Sequence, residues 1–343
     1  MGEGGDISTT SSGHPRTPAA SARDAREQVD PRMRGRMVSV VIPVFNSAGV
    51  VGETIARTAA FFERHGLPYE IIAVNDGSHD ASWEVLLRLA TSNPHVVALN
   101  LLRNYGQHNA NLAGFRHARG EYVVTIDDDL QNPPEEIIHL INTAAHGHDV
   151  VFGRFDRKNV SRHRSLGSRA IGLINRRIFG QPRDLVVSNV RMLRRDVVDR
   201  ICADRSAYPY ITGLALLYSS DRANVTVRHE PRTIGKSTYN PLRIARLVLT
   251  ILFSYSAFPL RLSAVIGCAV SLISFLIGVV YLALGLFGDV AVQGWTTLAV
   301  MLAFFNGVTI AMLSMLGEYL VRTLQQSSAR EPYHVIAAVR ADD

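Results

Sequence analysis

Cysteine is nearly missing from this chain: its 343 residues include only Cys202 and Cys268. Two cysteines, the second inside an apolar run, exclude a disulfide framework and a thiolate metal centre, and they suit a reducing compartment. Glycine-rich phosphate loops are missing as well. No GxxxxGK(S/T) string and no GxGxxG follows the first strand-like run, which removes the fingerprints of a P-loop enzyme and of a dinucleotide-binding fold. Neither an aromatic–basic RNA-binding string nor zinc-finger spacing occurs, so nucleic acid is not an expected partner. Residues 1–36 are rich in Gly, Ser, Thr, Pro and mixed charge and lack the apolar core of a signal peptide. They read as a disordered tail, and the part that follows is expected to remain on the cytoplasmic side.

The remainder is long enough for a full α/β core and a second module. Apolar β-branched runs at Met37–Pro43, Tyr69–Asn75, His95–Leu101, Tyr122–Ile126 and Asp149–Phe152 start roughly every 25–30 residues, with helical patterns between them. That alternation predicts an open, mostly parallel, Rossmann-like sheet over residues 37–240. Helices are further expected over Asp196–Ile201 and Ser206–Leu217, and a strand over Ala223–His229.

Sheets of this kind bind ligands beyond the carboxyl ends of their strands. Polar clusters stand at four such ends in succession: Pro43–Asn46, Asn75–Ser78, Arg103–Asn109 and Asp127–Gln131. Each alone is ordinary turn chemistry; four together predict a site. The last is the most unusual, because VVTIDDDLQNPP ends an apolar run in three adjacent aspartates that repel one another unless a cation offsets them. With no glycine-rich cradle, a bound nucleotide diphosphate needs such a counter-charge. A divalent cation on Asp127 and Asp129 would supply it, and hard oxygen ligands suit Mg²⁺ or Mn²⁺.

The formal charge of +6 is modest, but many arginines fall between Arg154 and Arg261, beside the most hydrophobic part of the chain. A basic helix is expected from about His163, with Arg164, Arg169, Arg176 and Arg177 on it; a solvated face and a phosphate or headgroup contact both fit. Residues 241–258 place Arg243 and Arg246 before an apolar stretch too short to span a bilayer, which predicts an interfacial amphipathic helix. Residues 262–287 and 295–317 are long and apolar enough to cross, forming a transmembrane hairpin within 259–322. Arginines flank its outer ends, so both ends are expected in the cytoplasm, with 323–343 a cytoplasmic tail. The sequons at Asn159 and Asn224 would then never meet the glycosylation machinery.

SVVIPVFN (Ser39–Asn46), VNDGSHD (Val74–Asp80), RNYGQHNANLAGF (Arg103–Phe115) and DDDLQNPPEE (Asp127–Glu136), in this order, resemble the motifs of family-2 glycosyltransferases of the GT-A fold. With RTIGKSTY (Arg232–Tyr239), two spans and LGEYL (Leu316–Leu320), the resemblance covers about residues 37–335. It is to the polyprenyl-phosphate group: dolichyl-phosphate mannose synthase, bactoprenol glucosyltransferases and undecaprenyl-phosphate aminoarabinose transferase. By this resemblance Asp127 and Asp129 hold the metal with Gln131 as a further ligand. Pro43, Phe45 and Asp76 line the nucleotide pocket, where Asp76 bonds base or ribose. Asp128, an alanine in many relatives, contributes through its backbone. Arg154 and Arg232 match phosphate-holding positions, and Arg164 and Ser165 lie where the acceptor phosphate approaches. Three departures stand out. Ser47 replaces a usual Glu, Thr238 replaces a usual Lys for which Lys236 is the nearby substitute, and Asp184–Arg191 carries one residue more than the pattern.

The implied reaction moves one sugar from a UDP- or GDP-linked donor to polyprenyl (undecaprenyl or decaprenyl) phosphate at the inner membrane. It proceeds with inversion and feeds cell-envelope glycan or lipid modification. Asp129, Arg154 and Arg232 are the expected catalytic residues, and homo-oligomers occur in the group. A processive polysaccharide synthase is the nearer rival, but neither Trp83 nor Trp295 follows an arginine as a Q-x-x-R-W motif requires. A non-catalytic membrane scaffold partnering a lipid flippase is the other, and the retained Asp76, Asp127 and Asp129 oppose it.

Overall fold

The computed structural model describes residues 28–155, 171–206, 208–230, 241–287, 294–327 and 331–341. Its centre is a strand, β1 (Val38–Val44), whose β-branched residues are buried on both faces. β2 (Tyr69–Asn75), β3 (Val96–Leu101) and β4 (Tyr122–Thr125) run parallel to it in the order β3-β2-β1-β4. Parallel neighbours need a crossover, and helices α1 (Val51–His65), α2 (Ser82–Ser92) and α3 (Gln107–His117) make the three between consecutive strands. Side chains alternate along the pleat, so Val38, Val40 and Ile42 enter one core while Val41 enters the other. The first core lies under α1, α2 and α4 (Ile137–Ala144). The second lies under α3, α5 (Arg195–Ala203) and α6 (Ile211–Leu217). α1 stops where Gly66 turns left-handed at φ 60° and returns its N–H to Phe62 and Glu63, a conformation that glycine adopts without strain.

The sheet continues past β4 as β6 (Arg191–Arg194), β5 (Val150–Phe155) and β7 (Arg222–Val227), and past β3 as β8 (Val335–Val339). β6 and β8 run against their neighbours; every other pairing is parallel. Four expectations change here. β5 extends to Phe155 instead of ending at Phe152. The helix expected over Ser206–Leu217 begins at Ile211. Residues 28–36, read as tail, pack against the domain: Met33 is buried and Asp30 N donates to Asn142 Oδ1 at 2.8 Å. The segment after the spans, also read as tail, contributes β8 as an edge strand on β3.

α7 (Pro241–Tyr255) buries Ile251 in the second core and is followed by α8 (Phe258–Phe287) and α9 (Trp295–Ser327). Windows Phe258–Ile277 and Phe304–Val321 have mean hydropathies of 2.2 and 1.4, and neither is buried by the rest of the chain. Length and composition therefore suit a bilayer, whereas a soluble core helix would be covered. The two helices form an antiparallel hairpin: Tyr319, late in α9, donates its hydroxyl to Ser256 O at 2.8 Å just before α8 begins.

Candidate active site

The four polar clusters converge because β1 to β4 are parallel and adjacent, so their carboxyl ends share one edge of the sheet. Their loops are tied to one another. Asn46 N donates to Ser78 Oγ at 3.0 Å, His79 N returns to Asn46 Oδ1 at 2.8 Å, and Ala48 N reaches Asp80 Oδ2 at 3.0 Å. Asn46 holds a left-handed φ of 53°, which Asn tolerates better than most residues. Gly77 is required where it stands: at φ 64°, a Cβ there would lie 2.4 Å from the Arg103 carbonyl carbon of the third loop.

Asp76, 3% exposed, spends its carboxylate on that third loop. Oδ1 accepts from Tyr105 N at 2.7 Å and Oδ2 from Gly106 N at 2.8 Å. Burial pushes its pKa up to about 6, against the lowering effect of those two N–H groups. Its first task is thus to hold the RNYGQH loop in place.

That loop delivers Gln107 to the acidic triplet. Gln107 Nε2 donates to Asp127 Oδ1 at 2.6 Å, and Asn189 Nδ2 holds Gln107 Oε1 at 3.3 Å. Asn189 is in turn fixed through its carbonyl by the Thr125 hydroxyl. Asp127 keeps part of its surface open, yet protein surrounds it closely. Burial, then Asp129, then Asp128 push its pKa up to about 6, opposed by Gln107 and Arg191. The open surface is the part a cation would use.

Asp128 behaves differently from expectation. Its carboxylate Oδ2 accepts from Phe45 N at 3.2 Å beside the Ser47 hydroxyl, while its carbonyl accepts from Thr54 Oγ1 at 3.1 Å. The side chain therefore braces the β1–α1 loop, and the backbone is only half of its contribution. Burial raises its pKa, with Ser47 and the Phe45 N–H opposing. Asp129 Oδ1 accepts from Gln131 N at 3.2 Å across Leu130, a non-glycine residue at φ 57°. A left-handed leucine costs about 1–2 kcal/mol, and this turn carries that strain between two candidate metal-holding residues.

The rest of the motif fixes the site's walls. Glu135 receives Arg57 of α1 at 2.8 Å, and Glu136 receives Arg228 at 2.5 Å. Glu230 N donates to Gln131 O at 2.8 Å, which ties the chain after β7 to the segment that follows the triplet. Phe45 is exposed and meets the His79 ring edge-on at 6.3 Å, a free aromatic face at the cleft, and Pro43 is half-buried behind it. Arg154 is exposed at the carboxyl end of β5, and among the described residues no hydrogen bond or ion pair joins it to the aspartates. Arg164, Ser165, Arg232 and Lys236 lie outside the described residues.

Close enough to Asp127 to act on its charge is Arg191, which the sequence marks only as the end of Asp184–Arg191, the segment with one residue more than the motif. Arg191 is 0% exposed; its Nη1 donates to Thr212 Oγ1 at 2.8 Å, while Nε and Nη2 have no hydrogen-bond partner. Burial lowers its pKa to about 10, offset by Tyr210 and Asp127, so it stays charged at neutral pH. Burial and this cation together press His108 down to about 3, leaving that ring neutral between Tyr208 and Tyr210. Gln107 could have been found from its place in a polar string at a strand end. Arg191 is marked only by its place in the irregular Asp184–Arg191 segment, and its burial is not readable there, since an arginine inside an apolar run more often marks a surface strand.

Among the described residues, no group of three His, Cys, Asp or Glu side chains closes a metal centre by itself. Asp127, Asp129 and Gln131 are each half-buried at the end of β4, a donor set of hard oxygens that suits a cation whose remaining ligands would be phosphate and water.

Glycosyl transferase family 2 matches residues 39–202. The chain is 38% identical over 310 residues to the undecaprenyl-phosphate 4-deoxy-4-formamido-L-arabinose transferase of Pectobacterium carotovorum subsp. carotovorum (strain PC1), covering 89% of this chain and 94% of that one. It is 38% identical over 308 residues to the transferase of the same name from Pseudomonas paraeruginosa (strain DSM 24068 / PA7), covering 89% and 91%. Among solved structures, glucosyl-3-phosphoglycerate synthase from Mycobacterium tuberculosis is similar at a TM-score of 0.47 and 18% identity, over 64% of this chain and 78% of that one; a likeness this distant does not bear on the site. With such identity along nearly the whole of both chains, and with all four motifs gathered at one sheet edge, the protein belongs to glycosyltransferase family 2, in its polyprenyl-phosphate glycosyltransferase group.

Proposed function

We propose that the protein transfers a single sugar from a nucleotide diphosphate sugar to a polyprenyl phosphate at the cytoplasmic face of the inner membrane, with inversion at the anomeric carbon. The observation that carries this reading is the partly open pair Asp127 and Asp129, built at the end of β4 with Gln107 bonded to it, in a chain that also carries two helices long and apolar enough to cross a membrane. Its Mg²⁺ or Mn²⁺ would be held by Asp127 and Asp129 with Gln131, and when bound would neutralise the diphosphate. The relatives' names specify an undecaprenyl phosphate acceptor, which supports the acceptor class.

The residues divide the work. An acceptor phosphate is largely ionised at neutral pH, its second pKa being about 6, so little general-base help is needed. The protein's task is to bring two anions together and to stabilise the leaving diphosphate. Phe45 offers a face for the base, and Asp128 with Ser47 sets that loop's position. Gln107 orients the Asp127 carboxylate so that its open side faces the cleft. Arg191 supplies a fixed buried charge behind it. Arg154 and Arg232, with Arg164, Ser165 and Lys236, are the proposed phosphate contacts.

Membranes carrying the full chain, given undecaprenyl phosphate and a panel of radiolabelled UDP- and GDP-sugars, should transfer label to the lipid phase from one donor, and EDTA should abolish it. No lipid-linked label from any donor would overturn the reading.

A further inference from the structure

A second charged feature shares no residue with the carboxylate edge. Residues 171–178 are helical, and their inner face buries Asn175 and passes into buried Phe179. The outer face presents Leu173, 59% exposed, with Arg176 and Arg177, and the chain then turns through Gly180 to exposed Arg183. These four side chains and Gln181 line an open cavity of about 610 Å³. Among the described residues no carboxylate pairs with Arg176, Arg177 or Arg183; exposed Asp184 is the one acidic neighbour in sequence. Three arginines and an exposed leucine around one hollow make a site for an anionic group that continues into an apolar tail.

Its position decides what that group belongs to. The Phe179 ring packs on Tyr255 with centroids 5.0 Å apart, and Tyr255 ends α7 three positions before α8 begins at Phe258. The Tyr255 hydroxyl also receives the N–H of Tyr210 at 3.1 Å, which fastens this corner of the domain to the root of the hairpin. Arg261 and Leu262 are exposed on the first turns of α8. The helix that carries the basic hollow is therefore anchored, through Phe179, to the segment that leads into the hairpin.

We propose that Leu173, Arg176, Arg177 and Arg183 form a docking site for the phosphate headgroups of anionic phospholipids in the surrounding leaflet. Leu173 enters the acyl boundary and the arginines take the phosphates, which seats the catalytic domain against the membrane. The occupant is a phospholipid of the leaflet, and the orientation of the site rests on the membrane-bound reading above. An arginine near an anionic surface contributes about a kilocalorie per mole, so each one neutralised weakens headgroup retention roughly fivefold.

The test is native mass spectrometry of the full chain in neutral detergent, titrated with phosphatidylglycerol or phosphatidylcholine. The wild type should retain phosphatidylglycerol at least tenfold better. The triple variant Arg176→Gln, Arg177→Gln, Arg183→Gln should lose that preference, and the corresponding triple lysine variant should keep most of it. Melting in detergent identifies a misfolded triple variant, in which case Arg183→Gln alone, in the exposed turn, should show the single fivefold step. A triple variant that melts normally and keeps the preference, or a wild type without one, overturns the proposal. Sugar transfer to undecaprenyl phosphate in neutral micelles is measured in parallel. Transfer without headgroup preference refutes only the docking site, and headgroup preference without transfer refutes only the proposed function.

Discussion

The carboxylate at the end of β2 and those at the end of β4 make an instructive pair. Asp76 and Asp127 have both been pushed up to about 6, and burial is the largest cause for each. Their surroundings differ. Both oxygens of Asp76 are occupied by backbone N–H groups of one loop, so its burial is compensated within the protein. Asp127 has one amide donor and the buried Arg191 charge against two neighbouring carboxylates that outweigh them, with an open side left over. A carboxylate satisfied by backbone holds structure; one left short of positive partners invites a cation. Stability should therefore depend on the first and turnover on the second.

The sharpest break between them should come from Asp129→Asn and Asp127→Asn. Each should lower sugar transfer at least about a hundredfold, the range for removal of an electrostatic contact at a reacting diphosphate. Neither should lower the melting temperature, because removing one charge relieves repulsion within the triplet. Asp76→Ala should do the reverse in kind. Two backbone N–H groups lose their acceptor, which costs about 2 kcal/mol net of the relieved charge and should lower Tm by about 4–8 °C. Differential scanning fluorimetry in detergent measures both.

Asp128 lies between the two types, near the metal edge but engaged with Phe45 N and Ser47. Asp128→Ala should cost about 1 kcal/mol, visible as a Tm shift of about 2–4 °C, and raise KM for the donor more than it lowers kcat. A fall in kcat comparable to that of Asp129→Asn would place Asp128 with the proposed metal-holding pair instead. The smallest effect is a pH dependence. The folded protein holds the Asp76 proton more tightly than the unfolded chain, whose pKa is near 3.8. The cost of the charged form is therefore absent at low pH and fully present above about 6. The stability of the wild type relative to Asp76→Asn should decline as pH rises from about 4 to about 6 and stay level beyond. A rise over that interval would contradict the assignment.

Much of this was legible in the sequence because β1 to β4 repeat one signal: an apolar β-branched run, a polar turn and an amphipathic helix. Parallel adjacency then forces the turns onto one edge, and the triplet's chemistry follows. The second half gave weaker signals. β6 is only four residues long and contains a buried arginine, so hydropathy points away from a strand. β8 pairs with β3, far back in the chain, and follows a span, where a short alternating run reads as tail. Val29 and Met33 are isolated apolar residues within a polar stretch, too few for a periodicity to reveal. The brace made by Asp128 was hidden for another reason. Motif position suggested an alanine-like role, whereas the nearby Ser47 hydroxyl and Phe45 N–H give a carboxylate there something to bind.

The central claim is that the β4 edge and a nucleotide diphosphate hold one divalent cation together. Electron paramagnetic resonance of Mn²⁺ added to the full chain, with UDP and GDP in turn, tests it directly. The wild type should bind one Mn²⁺ tightly only when a diphosphate is present, and Asp127→Asn and Asp129→Asn should each weaken that binding at least tenfold. Equal Mn²⁺ affinity in the wild type and both variants would contradict the account.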